Sequence, residues 1–374
     1  MKVVIAIDSL KGSLSSMDAG NAIKEGILKA VDAEVIVKPL ADGGEGTTDA
    51  LIEGMGGEKI SLTVKGPLET PVDAYYGYLK ESNTAIMEMA AASGITLIPK
   101  EALNPLKATT YGVGEMIKDA IRRGIRNFII GIGGSATNDG GTGMLTALGY
   151  EFLDADGQPV GFGGQCLEKI ASISAENRLA ELDECHFKIA CDVENPLCGL
   201  KGATYIYGPQ KGASDSLLPL LDAGMQNYGH AAETFTGKHT MEMAGAGAAG
   251  GLGFAFVTFL NGELKSGIDL ILDAVDLEDS LKDADFVITG EGRLDQQTAM
   301  GKGPAGVAKL GKKYGAKTIA LAGSVTEDAH ACNAAGIDGY FCILSSVCTL
   351  EEAMDADTTR RNLSLTAEQL FRLL

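Results

Sequence analysis

The chain has 374 residues, which is enough for two or three domains with a substantial core. Its 50 acidic residues outnumber its 31 lysines and arginines, and the formal net charge of −19 disfavours nucleic acid or an anionic membrane as a partner. The longest nearly apolar stretch, residues 252–260, is too short to span a bilayer, and the chain start is too weakly apolar for a signal peptide, so we expect a soluble, cytoplasmic protein.

Cysteine usage gives no sign of disulfides. The seven cysteines include no C-x-x-C pair, which fits a reducing compartment. Cys185, His186, Cys191 and Cys198 lie close together in the sequence, but their spacing matches none of the usual zinc patterns. Half-buried strand cysteines are therefore favoured over a metal site.

Short apolar runs that end in polar, glycine-rich turns recur along the chain. Continuous runs of this kind are typical of strands buried on both faces of a parallel sheet. Segments with helical periodicity separate them, for example Ala19, Ile23 and Ile27 on one face and Val113 and Ile117 on another. The runs are residues 3–8, 34–46, 127–134, 285–292, 317–324 and 339–345. This alternation predicts an α/β domain with a doubly wound, mostly parallel sheet.

Two regions break this rhythm and indicate a second domain. Residues 63–101 predict antiparallel strands around a turn at 80–83, and residues 149–280 mix short strands with glycine-rich turns. Because the β-α-β pattern resumes after each break, we expect a second α/β domain inserted into the first, with the active site in the cleft between them. The predicted division gives residues 1–62, 102–148 and 280–374 to the doubly wound domain, and 63–101 and 149–279 to the inserted one.

Polar motifs follow the first two predicted strands, where open α/β sheets bind ligands. Lys11, just after Asp8 and Ser9, could hold a phosphate or a carboxylate; the alternative is a solvated loop in which Ser13 or Ser15 caps the next helix. After the second strand, Asp42, Gly43, Gly44 and Glu45 suit a magnesium-bound oxyanion. The alternative there is Thr47 as an N-cap, with acidic residues favoured by the helix dipole.

The stretch from Ile129 to Met144 is rich in glycine and formally matches a dinucleotide fingerprint. The turn is followed by polar residues rather than by an apolar helix, which favours hydrogen bonds to a small hydroxylated ligand or to phosphates. So many glycines at one turn indicate that something approaches the backbone closely. The candidate binding residues here are Gly133, Gly134, Ser135, Thr137, Asn138 and Asp139.

Carboxylates end two further apolar runs, at Asp192 and at the segment 289–295, and Lys211 lies between them. No P-loop pattern is present. Carboxylates, a few cations, hydroxyls and glycine loops, without a nucleophile–base pair, are what magnesium-dependent phosphoryl transfer requires. From the residues alone, the chain is a phosphotransferase or a nucleotide-binding enzyme.

Seven ordered motifs between residues 8 and 298 make the chain resemble the type I glycerate kinases, the bacterial glycerate 2-kinase family. They are DSLKGSLSS, PLADGGEGT, GIGGSATNDGGTG, CDVENPLCG, GPQKGA, GAAGGLG and TGEGRLDQQT. The resemblance covers essentially the whole chain. It implies ATP-dependent, Mg²⁺-dependent phosphorylation of D-glycerate to 2-phosphoglycerate in glyoxylate- or glucarate-type catabolism. It also implies a two-domain α/β protein with one flavodoxin-like domain; the protein would be a monomer or a homodimer.

Individual roles follow from the chemistry of phosphoryl transfer. We expect Asp192 to be the base, with Asp139 as the alternative, because each is a carboxylate held by a turn. Lys11 and Arg293 are expected to supply positive charge, one toward the glycerate carboxylate and the other toward phosphate. The magnesium candidates are Asp42, Glu45 and Asp295, of which at most two would be direct ligands. The remaining candidates for substrate and phosphate binding are Asp8, Ser9, Gly43, Gly44, Gly133, Gly134, Ser135, Thr137, Asn138, Lys211, Gly290 and Glu291.

Three other functions compete with this interpretation. Phosphorylation of the 3-hydroxyl would make the protein a glycerate 3-kinase. An NAD(P)-dependent oxidoreductase of a small hydroxy acid would instead need an acidic ribose ligand at the end of the second strand. A ligand-binding module without catalysis would not need three carboxylate clusters.

Overall fold

The computed structural model describes residues 1–41, 44 and 46–374. The strands are β1 (Lys2–Ile7), β2 (Glu34–Pro39), β3 (Glu58–Lys65), β4 (Pro71–Leu79), β5 (Thr84–Glu88), β6 (Asn127–Gly131), β7 (Glu151–Leu153), β8 (Ser172–Ser174), β9 (His186–Ala190), β10 (Glu263–Lys265), β11 (Phe286–Leu294), β12 (Lys317–Val325) and β13 (Gly339–Cys342).

The α-helices are α1 (Ser16–Ala30), α2 (Thr47–Met55), α3 (Ala90–Ser93), α4 (Tyr111–Arg122), α5 (Thr142–Ala147), α6 (Ala203–Tyr207), α7 (Leu218–Thr236), α8 (Ala248–Leu260), α9 (Gly267–Ala274), α10 (Leu277–Ser280), α11 (Gln296–Ala299), α12 (Gly303–Lys313), α13 (Ala331–Ala334), α14 (Leu350–Met354) and α15 (Ala356–Phe371). Short 3₁₀ helices are Ile95–Leu97, Lys100–Ala102, Gly164–Lys169, Ala180–Glu184, Pro209–Lys211 and Glu327–His330. None of the helices in the described residues combines the length and apolarity needed to cross a bilayer.

The chain divides into two compact units. The first unit comprises Met1–Asp42, Asp49–Gly57 and Ile268–Leu374, and the second comprises Gly43–Thr48 and Glu58–Gly267. This division differs from the predicted one, which placed residues 102–148 in the doubly wound domain. The reason lies in β6, which pairs with β5 and β9 in the sheet of the second unit. An apolar strand buried on both faces does not reveal which of two sheets it joins.

The first unit is built on a parallel sheet in the order β13-β12-β11-β1-β2. Renumbered along the chain within this unit, the order is 2-1-3-4-5, which is the flavodoxin-like order of a doubly wound fold. The predicted α/β fold class is therefore confirmed. Strand β1, with the sequence KVVIAI, lies between β11 and β2 in the sheet and is buried from Val3 to Ile7, as its continuous apolar run predicted.

Helices cover both faces of this sheet. On one face α1 and α15 pack together, and Ile23, Ile27 and Leu363 join the side chains of β1 in one apolar cluster. On the other face Ala308 of α12 packs with Cys332 and the residues of β12. Helix α1 begins at Ser16 because the side chain of Ser15 accepts a hydrogen bond from the backbone N–H of Asp18, so the cap is Ser15 rather than Ser13.

The second unit contains a mixed sheet in the order β10-β9-β6-β5-β4-β3, together with the separate ribbon β7–β8. Strands β3, β4 and β5 are antiparallel, with a turn at residues 80–83 as predicted, whereas β5, β6, β9 and β10 run parallel. Because four neighbouring strands run parallel, their carboxyl ends meet at one edge. The glycine-rich loop after β6 leaves from this edge.

Candidate active site

A pocket of about 490 Å³ lies within the first unit, beyond the carboxyl ends of its parallel strands. The loop that leaves β1, residues 8–13, forms one side, and residues 291–295 of the neighbouring strand β11 form another. Strand β1 pairs with β2 on one side and with β11 on the other, so successive connections leave in opposite directions at this point. Such a switch point is where doubly wound sheets bind their ligands.

The polar lining of this pocket contains six of the predicted site residues with charged or hydroxyl side chains, on the loop after β1 and around the end of β11. They are Asp8, Ser9, Lys11, Glu291, Arg293 and Asp295. Lys302 and Ser324 also line the pocket, and sequence reasoning had not selected them. Lys302 lies in the Gly-Lys-Gly segment that fails the P-loop pattern, and Ser324 ends the apolar run of β12. Ser324 could have been selected because it ends an apolar run, whereas Lys302 lies between α11 and α12 and carries no comparable signal.

Hydrogen bonds fix the carboxylates on the β11 side. Asp295 accepts hydrogen bonds from the backbone N–H groups of Gln297 (2.9 Å) and Thr298 (3.3 Å) through Oδ1, and so caps α11. The Thr298 hydroxyl donates to Glu291 Oε1 at 2.6 Å. The other oxygen of Asp295 lies 3.8 Å from Nε of Arg293. This network orients both carboxylates while the Arg293 side chain stays largely in solvent.

The opposite wall of the pocket is apolar. It is formed by the chain that follows β13 and by α14, through Ile343, Leu344, Leu350, Ala353 and Met354. Helix α14 begins at a capping box: the hydroxyl of Thr349 accepts the N–H of Glu352 at 3.2 Å, and the Glu352 carboxylate accepts the N–H of Thr349 at 2.8 Å. Sequence reasoning missed this wall because apolar residues in a loop and a short helix resemble ordinary core positions.

Gly290 was predicted to bind substrate or phosphate, but the structure gives it a different role. It is buried inside β11, and its carbonyl accepts the backbone N–H of Asp8 at 2.9 Å. Its φ is +152°, and a Cβ atom at this position would lie 1.8 Å from the carbonyl oxygen of Leu321 on β12. The glycine is thus required by the close approach of two strands, which brings the loops after β1 and β11 together.

The carboxyl edge of the parallel strands in the second unit is a second candidate region. Glu88 ends β5, Gly131 ends β6 opposite it, and Asp192 follows β9 two residues after the end of that strand. Glu88 had not been predicted, although it ends the apolar run TAIME. Its carboxylate accepts the backbone N–H groups of Gly46 (3.3 Å) and Thr48 (2.9 Å).

Asp192 is exposed at this edge. One of its oxygens, Oδ1, accepts the backbone N–H of Gly267 at 2.9 Å. Gly267 is the first residue of α9, so the carboxylate also serves that helix as a cap. The neighbouring Asn195 turns inward instead, with its amide bonded to the carbonyl of Lys201 and the hydroxyl of Tyr207.

The glycine-rich stretch after β6 has two parts with different environments. Gly133 and Gly134 are exposed, and a Cβ atom at Gly133 would meet nothing within 4 Å, so this backbone is open to a ligand. By contrast, a Cβ atom at Gly140 would lie 2.5 Å from the ring of Tyr228. What approaches that part of the backbone is the protein's own core.

Asp139, the alternative base, is fully buried and already bonded. Its carboxylate accepts the N–H (2.8 Å) and hydroxyl (2.9 Å) of Thr110 and the N–H groups of Gly141 (3.1 Å) and Gly143 (3.3 Å). Burial raises the pKa of this carboxyl, while these hydrogen bonds act to lower the pKa. Asp139 therefore ties the starts of α4 and α5 together, which favours a structural role over that of the base. Asn138 is equally buried and bonds to Thr204, so it is also structural.

Lys211 was predicted to bind phosphate, but it is only 1% exposed. Its ammonium group donates to the hydroxyl of Ser135 and to the carbonyl of Thr137, both at 2.7 Å. Burial lowers the pKa of Lys211 to about 7, and the nearby charge of Asp139 acts in the opposite direction. Lys211 thus binds the buried side of the glycine-rich loop. Ser135, one of its two partners, is buried and directly follows the exposed Gly133 and Gly134. Thr137 is fully buried, and its hydroxyl has no hydrogen-bond partner within the described residues.

Of the three predicted magnesium ligands, the structure describes Asp295 alone. Asp42, Gly43 and Glu45 lie outside the described residues; of Gly44, the carbonyl accepts the N–H of Thr47 at 3.3 Å. No group of three or more His, Cys, Asp or Glu side chains in residues 1–41, 44 and 46–374 is arranged to hold a metal ion. This includes the cysteines around residues 185–198. One or two carboxylates at the pocket, completed by phosphate oxygens, would be the usual arrangement for Mg²⁺.

Comparisons with known proteins agree with the sequence motifs. The sequence profile of the glycerate kinase family matches residues 3–374. The chain is 47% identical to a glycerate kinase of Bacillus subtilis (strain 168), over 95% of this chain and 93% of that protein. It is 46% identical to a glycerate 2-kinase of Escherichia coli (strain K12), over 94% of this chain and 93% of that protein.

A solved structure supports the same assignment. The crystal structure of a Salmonella typhimurium LT2 protein, provisionally named glycerate kinase 2, superposes with a TM-score of 0.91 at 43% identity and covers 100% of this chain and 98% of that one. Profile, relatives and fold agree along the whole chain, and the polar residues collect at the sheet edges where α/β enzymes bind their ligands. The chain therefore belongs to the glycerate kinase family and is an enzyme of the kinase class.

Proposed function

We propose that the protein transfers the γ-phosphoryl group of ATP to the 2-hydroxyl of D-glycerate in a Mg²⁺-dependent reaction, and that this serves glyoxylate- or glucarate-type catabolism. The observation that carries this proposal is the match along nearly the whole chain to the glycerate 2-kinase of Escherichia coli. The oxidoreductase alternative is not favoured, because family membership assigns a kinase.

The residues at the two sheet edges suit this reaction. Lys11 and Arg293 are exposed cations on the loops of the first-unit pocket, and we assign one to the glycerate carboxylate and the other to phosphate. Asp192 remains our choice for the base that accepts the proton of the attacking hydroxyl, because it is exposed at the end of a rigid strand.

The chemistry that Mg²⁺ would supply when bound is neutralisation of the phosphate charge. Asp42, Glu45 and Asp295 are the proposed carboxylate candidates, of which at most two would be direct ligands. Asp295 retains Oδ2 for this purpose, since its helix-capping bonds use Oδ1. The oxygen-only chemistry of this set fits a hard divalent cation.

Phosphorus NMR of the product tests the proposal. The purified protein, incubated with D-glycerate, ATP and Mg²⁺, should give 2-phosphoglycerate, and L-glycerate serves as the matched control substrate. A product phosphorylated at the 3-hydroxyl would establish the alternative regiochemistry. Absence of product, combined with glycerate-dependent reduction of a nicotinamide cofactor, would refute the kinase assignment.

A further inference from the structure

We propose that the first-unit pocket binds the nucleoside triphosphate, with the phosphate chain against Arg293 and Lys302 and the base against the wall formed by Leu344, Leu350 and Met354. This inference rests on the proposed function, which requires a phosphoryl donor but leaves its location open. It gives the two sides of one pocket separate tasks.

The first argument is the contrast between the two walls. D-glycerate is a small acid whose every carbon atom carries oxygen, so it offers nothing to an apolar wall. Leu350 is 76% exposed and Met354 is 38% exposed, and a planar base placed on them would bury that apolar surface. A volume of about 490 Å³ also falls in the range of pockets that hold drug-sized ligands.

The second argument is the placement of positive charge. In a chain with a net charge of −19, Lys11, Arg293 and Lys302 line the same pocket. Lys302 directly precedes α12, which has Pro304 in its first turn and no side-chain cap within the described residues. The backbone N–H groups at a helix start favour anions, and here they lie next to a lysine side chain.

The third argument concerns the carboxylates in this lining. Asp8, Glu291 and Asp295 would repel a phosphate chain that stood alone. A triphosphate that carries Mg²⁺ removes this conflict, because the cation can lie between the carboxylates and the phosphate oxygens. The mixture of acidic and basic side chains around one pocket therefore fits a metal-bound polyphosphate.

A tryptophan reporter tests the location directly, because the chain contains no tryptophan. Leu350→Trp places the probe on the apolar wall. Its matched control is Leu28→Trp. Leu28 is also exposed, and it lies in the last turn of α1, at the end of the sheet where the strands begin. Addition of Mg²⁺ and ADP should quench the first probe and leave the second unchanged. Equal responses from both probes would overturn the proposed location.

Isothermal titration then separates the two walls. Met354→Gln should weaken adenosine and ADP by about tenfold while inorganic tripolyphosphate binds as before, because glutamine has a similar size, is polar and adds no charge. Lys302→Ala should weaken ADP and tripolyphosphate by a similar factor and spare adenosine. The controls are Met300→Gln and Lys309→Ala, at exposed positions of the first unit that do not line the pocket.

The outcomes distinguish this inference from the proposed function. Unchanged ADP affinity in both pocket variants, or weakened binding of D-glycerate alone, would overturn the location of the nucleotide even if the wild-type protein phosphorylates glycerate. If the wild-type protein fails to phosphorylate glycerate, the proposed function fails, whatever the pocket binds.

Discussion

Replacement of the buried Lys211 by methionine tests whether this side chain carries a charge at neutral pH. The ammonium group lies beneath the glycine loop and has two acceptors, Ser135 Oγ and the carbonyl of Thr137. Methionine preserves most of the side-chain volume but cannot donate. The variant therefore separates the packing of Lys211 from its proton chemistry.

The expected magnitude follows from the pKa of Lys211, which falls from its ordinary 10.5 to about 7 on burial. Between these two values the unfolded chain binds a proton that the folded protein has released, so the free energy of unfolding rises with pH. Below pH 7 both states are protonated, and the protein bears the full cost of burying the charge. Linkage over the range from pH 7 to pH 9 predicts that wild type gains about 2 kcal/mol relative to Lys211→Met.

Denaturant unfolding at pH 7 and pH 9, followed by far-UV circular dichroism, measures this difference. Asp139 and Tyr228 are the titratable groups coupled to this buried cluster, and comparison of the two proteins cancels titration that they share. Lys309→Met, at an exposed site on α12, is the control and should change stability by less than about 0.5 kcal/mol at either pH. If the wild-type advantage over Lys211→Met is the same at both pH values, Lys211 does not change protonation there and the reasoning is refuted.

Three further substitutions test the roles assigned to Asp192, Gly290 and Asp139. Asp192→Asn should lower kcat by roughly 10²–10⁴ while ADP affinity stays within a few-fold, because a base acts in the transition state; a near-normal kcat with lower thermal stability would identify Asp192 as only the cap of α9. Gly290→Ala should destabilise the first unit by several kcal/mol, since the added Cβ would lie 1.8 Å from a carbonyl oxygen, and an unchanged melting temperature would contradict this. Asp139→Ala should destabilise the protein by about 3 kcal/mol or more, because four donors lose their acceptor, whereas loss of activity in a fully stable variant would restore Asp139 as a catalytic candidate.

The fold of the first unit was readable from the sequence because its strands are buried on both faces. The runs at β1, β11 and β12 are continuous and apolar, and the helices between them show clear periodicity. The sheet membership of β6 was not readable, because the same pattern serves either sheet equally. The turn at residues 80–83 was predicted correctly, since hairpin geometry depends on local sequence.

The residues of the candidate site were likewise only partly predictable from the sequence. Polar residues at strand ends, such as Asp8, Arg293 and Asp192, could be found because a buried strand fixes their position. Whether a polar side chain then faces solvent or the core depends on its partners. Asp139 and Lys211 look like ligand-binding residues in the sequence, yet each is buried among acceptors or donors from distant segments. No local pattern encodes those contacts.

The sheet of the first unit pairs strands that are synthesised far apart in time. Ile5 of β1 lies opposite Ile288 of β11, and the second unit occupies most of the sequence between them. At a synthesis rate of about 5–20 residues per second, β1 emerges roughly 15–60 s before its neighbour exists. During that interval one edge of an apolar strand has no partner, whereas the second unit can already close its sheet. Nascent chains of this protein should therefore depend on chaperones for the N-terminal strands, and a chain that ends before β11 should aggregate rather than fold.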